Sequence, residues 1–136
     1  MTHISKNQLE PKYLNELFKQ FSSTVSLLNS STSSNFFDDL LGDEEKIMIA
    51  KRLAAIVMFI EGNSSYRVWQ LLKISPSTAD RIKLNYDIGK YKNIENLLKS
   101  NKFAYEKLWT ALEIILQAGM PPRGRGRWKS VLKRLK

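Results

Sequence analysis

The chain of 136 residues has no cysteine, and its one histidine is His3. Without cysteine it can form neither a disulfide framework nor a thiolate metal site. A single histidine beside the N-terminus also excludes a nucleophile–histidine–acid triad and a zinc site built from histidine or cysteine ligands. A glycine-rich phosphate loop is missing as well. The longest apolar run, Leu53 to Ile60, is eight residues, against the ~20 that a membrane span needs. The opening MTHISKNQLEPKYLNELF lacks the apolar stretch of a signal peptide. These absences predict a soluble, cytoplasmic protein with no membrane contact. No segment alternates with the period of two that marks a strand, so the expected fold is all-α.

The net charge is +9, from 22 Lys and Arg against 13 Asp and Glu, and it is unevenly spread. Up to Gly62 six cations meet eight acids; from Asn63 onward sixteen cations meet five acids. A basic half of this kind suits a polyanion, because neutralising phosphates releases counterions. The acids Asp38, Asp39, Asp43, Glu44 and Glu45 offer oxygen ligands for a hard metal ion. Asp43 to Glu45 are better explained as helix-start charges that complement the positive end of the dipole. The expectation is therefore a binding protein, with no enzymatic activity and no metal.

Four segments follow along the chain. Residues 1–35 hold a first helix, with Pro11 at its first turn and Leu14, Leu17, Phe18, Phe21, Val25 and Leu28 on its apolar face, followed by a Ser-rich hinge at 30–35. Residues 36–92 form the central core. Within it a short helix or turn at Phe36 to Leu41 is closed by Gly42, and a long helix from Asp43 to Glu61 is apolar around nearly all its circumference. That pattern predicts a central buried helix, ended by Gly62 as a left-handed cap. Tyr86 to Asn93 reads as a loop or frayed end. Residues 93–119 are helical again, with Phe103, Leu108, Leu112, Ile115 and Leu116 inward, and residues 120–136 are a basic Arg/Gly tail.

The stretch Ser64 to Lys83 is the most informative. Val68, Leu71 and Leu72 make an apolar stripe on one short helix. Ser75 and Pro76 then open a second, as N-cap and first helical residue. Ala79 and Ile82 turn that second helix back on the first, and Ala79 is small enough for a close crossing. Ser77, Thr78, Asp80 and Arg81 are left outward near the helix start. A helix-turn-helix protein presents that part of its second helix to base edges in the major groove. The expected partner is double-stranded DNA, with Ser77, Thr78, Asp80 and Arg81 as base contacts. Arg67, Lys73 and Lys83 are the expected phosphate contacts, which position the protein without specifying sequence.

From Leu41 to Lys83 the chain resembles the tryptophan-repressor family. The shared features are Leu41, Glu44-Glu45, Arg52 in mid-helix, Gly62, Val68 with Leu72, and Thr78-Ala79 followed by Arg81. The resemblance implies an intertwined all-α homodimer whose N-terminal helices form the interface. It also implies a transcriptional repressor whose operator has two half-sites. Two arginines of that family hold the tryptophan corepressor; they fall on Arg52 and Arg81, so tryptophan or another small amino-acid-like acid is the candidate ligand. Gly42 stands where the family has a threonine that helps hold it, and Lys73 where the turn has a glycine.

The tail is outside that pattern. Pro122 to Arg127, PRGRGR, is similar to an AT-hook, whose arginines lie in the narrow minor groove of A·T-rich DNA. Arg123, Arg125 and Arg127 are its candidate minor-groove or phosphate contacts, although Gly126 replaces the usual proline. Two other roles fit the chain, the first through the tail and the second through the helix-turn-helix. One is an RNA-binding or architectural scaffold acting through the tail; the other is a transposon-end or phage DNA-binding protein.

Overall fold

A computed structural model describes residues 7–118. Those residues form seven α-helices and no strand: α1 (Pro11–Val25), α2 (Ser33–Leu40), α3 (Asp43–Ile60), α4 (Ser65–Leu72), α5 (Pro76–Asp87), α6 (Lys92–Lys99) and α7 (Lys102–Ala118). The all-α expectation holds. Among the described residues no helix is long and apolar enough to cross a membrane. The chain divides inside α3 into two compact units, Met1–Ile49 and Ala50–Lys136.

In the first unit α1 starts at Pro11, as the sequence predicts, and buries none of its residues. Its apolar stripe is largely in solvent: Leu14 is 40% exposed, Leu17 55%, Phe18 60% and Phe21 46%. The polar stretch after it is only partly a hinge. Asn29 Oδ1 accepts from the backbone N–H groups of Ser31 (2.9 Å) and Thr32 (3.0 Å). That side-chain turn ends the connection early, so Ser33 to Asn35 already belong to α2. At the start of α3, Gly42 N donates to Glu45 Oε1 at 2.9 Å, as the acidic member of a capping box does. Lys46 donates to Asp38 at 2.5 Å, which holds its ammonium pKa above the ordinary value.

The second unit is built around the end of α3. Ala55 to Phe59 are five consecutive buried residues, so this half of the helix is covered on every side. They cluster with Val68 of α4, Ala79 and Ile82 of α5, and Trp109, Leu112 and Leu116 of α7. Burying a side chain of this size stabilises by roughly 1.5–3 kcal/mol each. Two sequence expectations need correction. The part of α3 before Ala54 is not buried throughout, with Ile47 54%, Ile49 49% and Leu53 38% exposed. On α7, Phe103 (69%) and Ile115 (66%) face solvent, while Leu112 and Leu116 are inward as expected. That helix is apolar on several sides, and periodicity alone does not say which side is covered.

Gly62 and Gly89 end α3 and α5 by the same device. Gly62 has φ 89° and Gly89 φ 85°. After α3, Gly62 N donates to Phe59 O and Asn63 N to Met58 O; after α5, Gly89 N donates to Tyr86 O and Lys90 N to Asn85 O. These are the paired bonds of a Schellman motif. Tyr86 to Asn93, expected as a loop or frayed end, is therefore the end of α5, a fixed turn and the start of α6. On α6, Lys99 donates to Glu95 at 2.7 Å. That bond lowers the Glu95 carboxyl pKa and raises that of Lys99.

The turn between α4 and α5 carries backbone strain. Lys73 sits at φ 56° and ψ 49°, a left-handed conformation that no other non-glycine residue among those described adopts. The Lys51 ammonium donates to its carbonyl at 3.2 Å. A side chain costs about 1–2 kcal/mol in this region, and glycine gives back part of that through its freer unfolded chain. Lys73→Gly is therefore expected to stabilise the fold by about 0.5–1 kcal/mol. Denaturant unfolding checks it, as a higher midpoint with an unchanged slope.

Candidate nucleic-acid interface

Each of the two helices of the Ser64 to Lys83 segment is started by a serine. Ser64 accepts from Arg67 N at 3.1 Å, and Ser75 accepts from Thr78 N at 3.1 Å. Pro76 occupies the first turn of α5. The backbone at Lys73 then reverses the chain, with Ile74 N donating to Trp69 O at 3.3 Å. Val68 and Ala79 are completely buried where the helices meet, and Ile82 is 5% exposed. The small Cβ of Ala79 permits that crossing. A larger residue there would push the helices apart.

A second link lies on the rim. Ser65 Oγ donates to Asp80 Oδ1 at 2.5 Å, tying the first turn of α4 to the middle of α5. The Asp80 carboxylate also lies beside the N-terminal turn of α4, where a negative charge is favoured. Asp80 is exposed, and one of its oxygens is engaged within the fold. Ser77 is exposed and Thr78 half-buried. Their hydroxyls share the Ser75 hydroxyl, Thr78 Oγ1 accepting from it at 2.7 Å and Ser77 Oγ lying 3.2 Å from it. Arg81 is exposed one turn further on.

The cations expected at phosphates differ in freedom. Arg67 and Lys73 make no ion pair among the described residues. Lys83 is held: its ammonium pairs with Asp87 at 2.7 Å and lies 5.8 Å from the ring centres of Phe59 and Tyr86. Those rings stack at 6.3 Å, and Phe59 is in the core, so Lys83 braces the inner flank of α5. Arg123, Arg125 and Arg127, with the rest of the basic tail, lie outside the described residues.

Arg52 and Arg81, paired in the sequence by resemblance alone, line one cleft. Together with Thr78, Asn85, Lys90 and Tyr91 they line a cleft of about 330 Å³ floored by Ile82. Asn85 Nδ2 donates to the Tyr91 hydroxyl at 3.4 Å. Asn85, Lys90 and Tyr91 were not among the residues expected from sequence. Their signal was Gly89, placed after α5 as Gly62 is placed after α3. No acid lines the cleft, and Arg52, Arg81 and Lys90 make no ion pair among the described residues. The chemistry offered is that of an anion site, with guanidinium forks, an ammonium, an amide and hydroxyls.

No family model, no curated protein and no solved structure matches the chain.

Proposed function

We propose that this chain is a sequence-specific DNA-binding regulator of the tryptophan-repressor-like helix-turn-helix kind, acting as a homodimeric repressor that reads the major groove with α5. The observation that carries the proposal is the outward face of α5. Ser77, Thr78, Asp80 and Arg81 lie along its first two turns on a pair of helices each capped by a serine. Arg67 and Lys73, which make no ion pair among the described residues, belong to the same segment, in α4 and at its C-cap. Base edges demand short polar groups and forked cations at such a position, and the flanking cations suit phosphates. A dimer is supported by α1, an amphipathic helix whose apolar stripe is in solvent and which suits a second copy of itself. Nucleoid association follows from DNA binding.

Selection of the full-length protein against a randomised duplex pool at near-physiological salt tests this. The expected result is a two-fold symmetric site, its half-sites about one helical turn apart. Enrichment of A·T-rich duplexes alone would mean that the Arg/Gly tail does the binding, and the protein would then be an architectural or RNA-binding scaffold. The shared cleft of Arg52 and Arg81 also suits the carboxylate of an amino-acid corepressor. Repeating the selection with tryptophan present checks that possibility.

A further inference from the structure

The cleft beside α5 holds a third cation that neither the resemblance nor the base-reading face accounts for. Lys90 is brought there by the turn at Gly89. Its own N–H donates to Asn85 O at 2.9 Å, and the Asn85 side chain in turn donates to Tyr91. The cation and the phenol thus reach the cleft from one fixed turn, beside the amide on the last turn of α5. Arg52 faces them from α3, while Thr78 and Arg81 face them from α5. We propose that this cleft seats a backbone phosphate of the DNA duplex that α5 reads, with Arg52 and Lys90 as its principal cations. This rests on the DNA-binding proposal above.

Three observations favour a phosphate of the duplex over a small free acid. First, a small-molecule pocket encloses most of its ligand's surface, yet Arg52, Arg81 and Lys90 are all exposed. Secondly, the cleft is continuous with the outer face of α5 through Thr78 and Arg81, and a duplex whose groove receives that face carries its backbone along the groove edge. Thirdly, three cations with no acid among the lining exceed what a zwitterionic amino acid asks for, because its ammonium would have no carboxylate to meet. A phosphodiester has only acceptor oxygens, and every polar group in this lining includes a donor.

The test is the salt dependence of binding to the duplex recovered by selection, measured with full-length wild type, Lys90→Ala, Arg52→Ala and, as a control, Lys99→Ala. Lys99 is engaged by Glu95 and lies outside the cleft. Each lost phosphate contact lowers the slope of log K against log salt by about 0.9. Arg52 and Lys90 share that one contact, so Lys90→Ala and Arg52→Ala should each lower the slope by about half a unit to one unit per protomer and weaken binding roughly two- to fivefold per half-site near 0.15 M salt. The selected sequence should be unchanged, and the control should match wild type. If wild type selects a symmetric site but both cleft variants keep its slope and affinity, the phosphate site is wrong and the DNA-binding proposal stands. Saturable binding of tryptophan to wild type in calorimetry, abolished by Lys90→Ala, would also overturn it in favour of a corepressor pocket. A wild type that binds no duplex overturns both.

Discussion

Arg81→Ala is expected to abolish selection of a symmetric site while leaving the fold intact. Arg81 is exposed and makes no ion pair among the described residues, so its removal leaves no buried partner without a bond. Its guanidinium stands on α5 one turn beyond Ser77 and Thr78, at the part of a second helix that meets base edges. A bidentate arginine contact to guanine discriminates by about 1–3 kcal/mol, or roughly 5- to 150-fold for each half-site. In a two-fold complex the loss occurs twice. The expected result is a variant that still binds duplex with a salt dependence but no longer enriches the wild-type site. Lys90→Ala should show the opposite pattern, a smaller slope with the same site. Arg81 lines the cleft as well as the outer face, so its own slope should fall too. A variant that enriches the wild-type site unchanged would remove Arg81 from base reading.

The helix pair was legible because its signals are local. Ser75-Pro76 starts a helix wherever the next residues can follow, and the burial of Val68, Ala79 and Ile82 is a matter of spacing. The shared cleft of Arg52 and Arg81 is not legible from spacing, since it depends on where α3 lies against α5; only the resemblance placed them together. Lys90 and Tyr91 carry no motif of their own, although Gly89 marks the end of α5 as clearly as Gly62 marks that of α3. Few apolar residues around it suggest a loop or frayed end, whereas backbone bonds and the packing of Tyr86 and Tyr91 on the core fix the turn. Asp80 and Lys83 show a different limit. A polar residue on an outward arc of a helix is also within reach of a neighbour, and Ser65 and Asp87 are the neighbours here.

The apolar pattern of α1 was read correctly as amphipathic, but amphipathicity does not say what covers the stripe. Within one chain little does: Leu14, Leu17, Phe18 and Phe21 recur at helical spacing and are 40–60% exposed. Leaving such a stripe in water forfeits burial worth about 25 cal/mol per Å². An isologous two-fold contact recovers it on both copies at once. Phe18→Asp should therefore leave the second unit's stability nearly untouched, because Phe18 contributes nothing to the core of Ala55 to Phe59, Val68, Ala79 and Leu112. It should nevertheless break the dimer. Each copy loses the burial of a phenyl ring and places a carboxylate against an apolar surface. Together these cost on the order of 3–6 kcal/mol, roughly a hundred- to ten-thousand-fold in the dimer dissociation constant. Sedimentation equilibrium should show a monomer with an unchanged helical spectrum, and its selected DNA should shrink to one half-site. If Phe18→Asp keeps the mass and the two-fold site of wild type, the α1 stripe is not the interface. Any dimer must then use another apolar surface, for which the exposed Ile47, Ile49 and Leu53 of α3 supply the next substitutions to make.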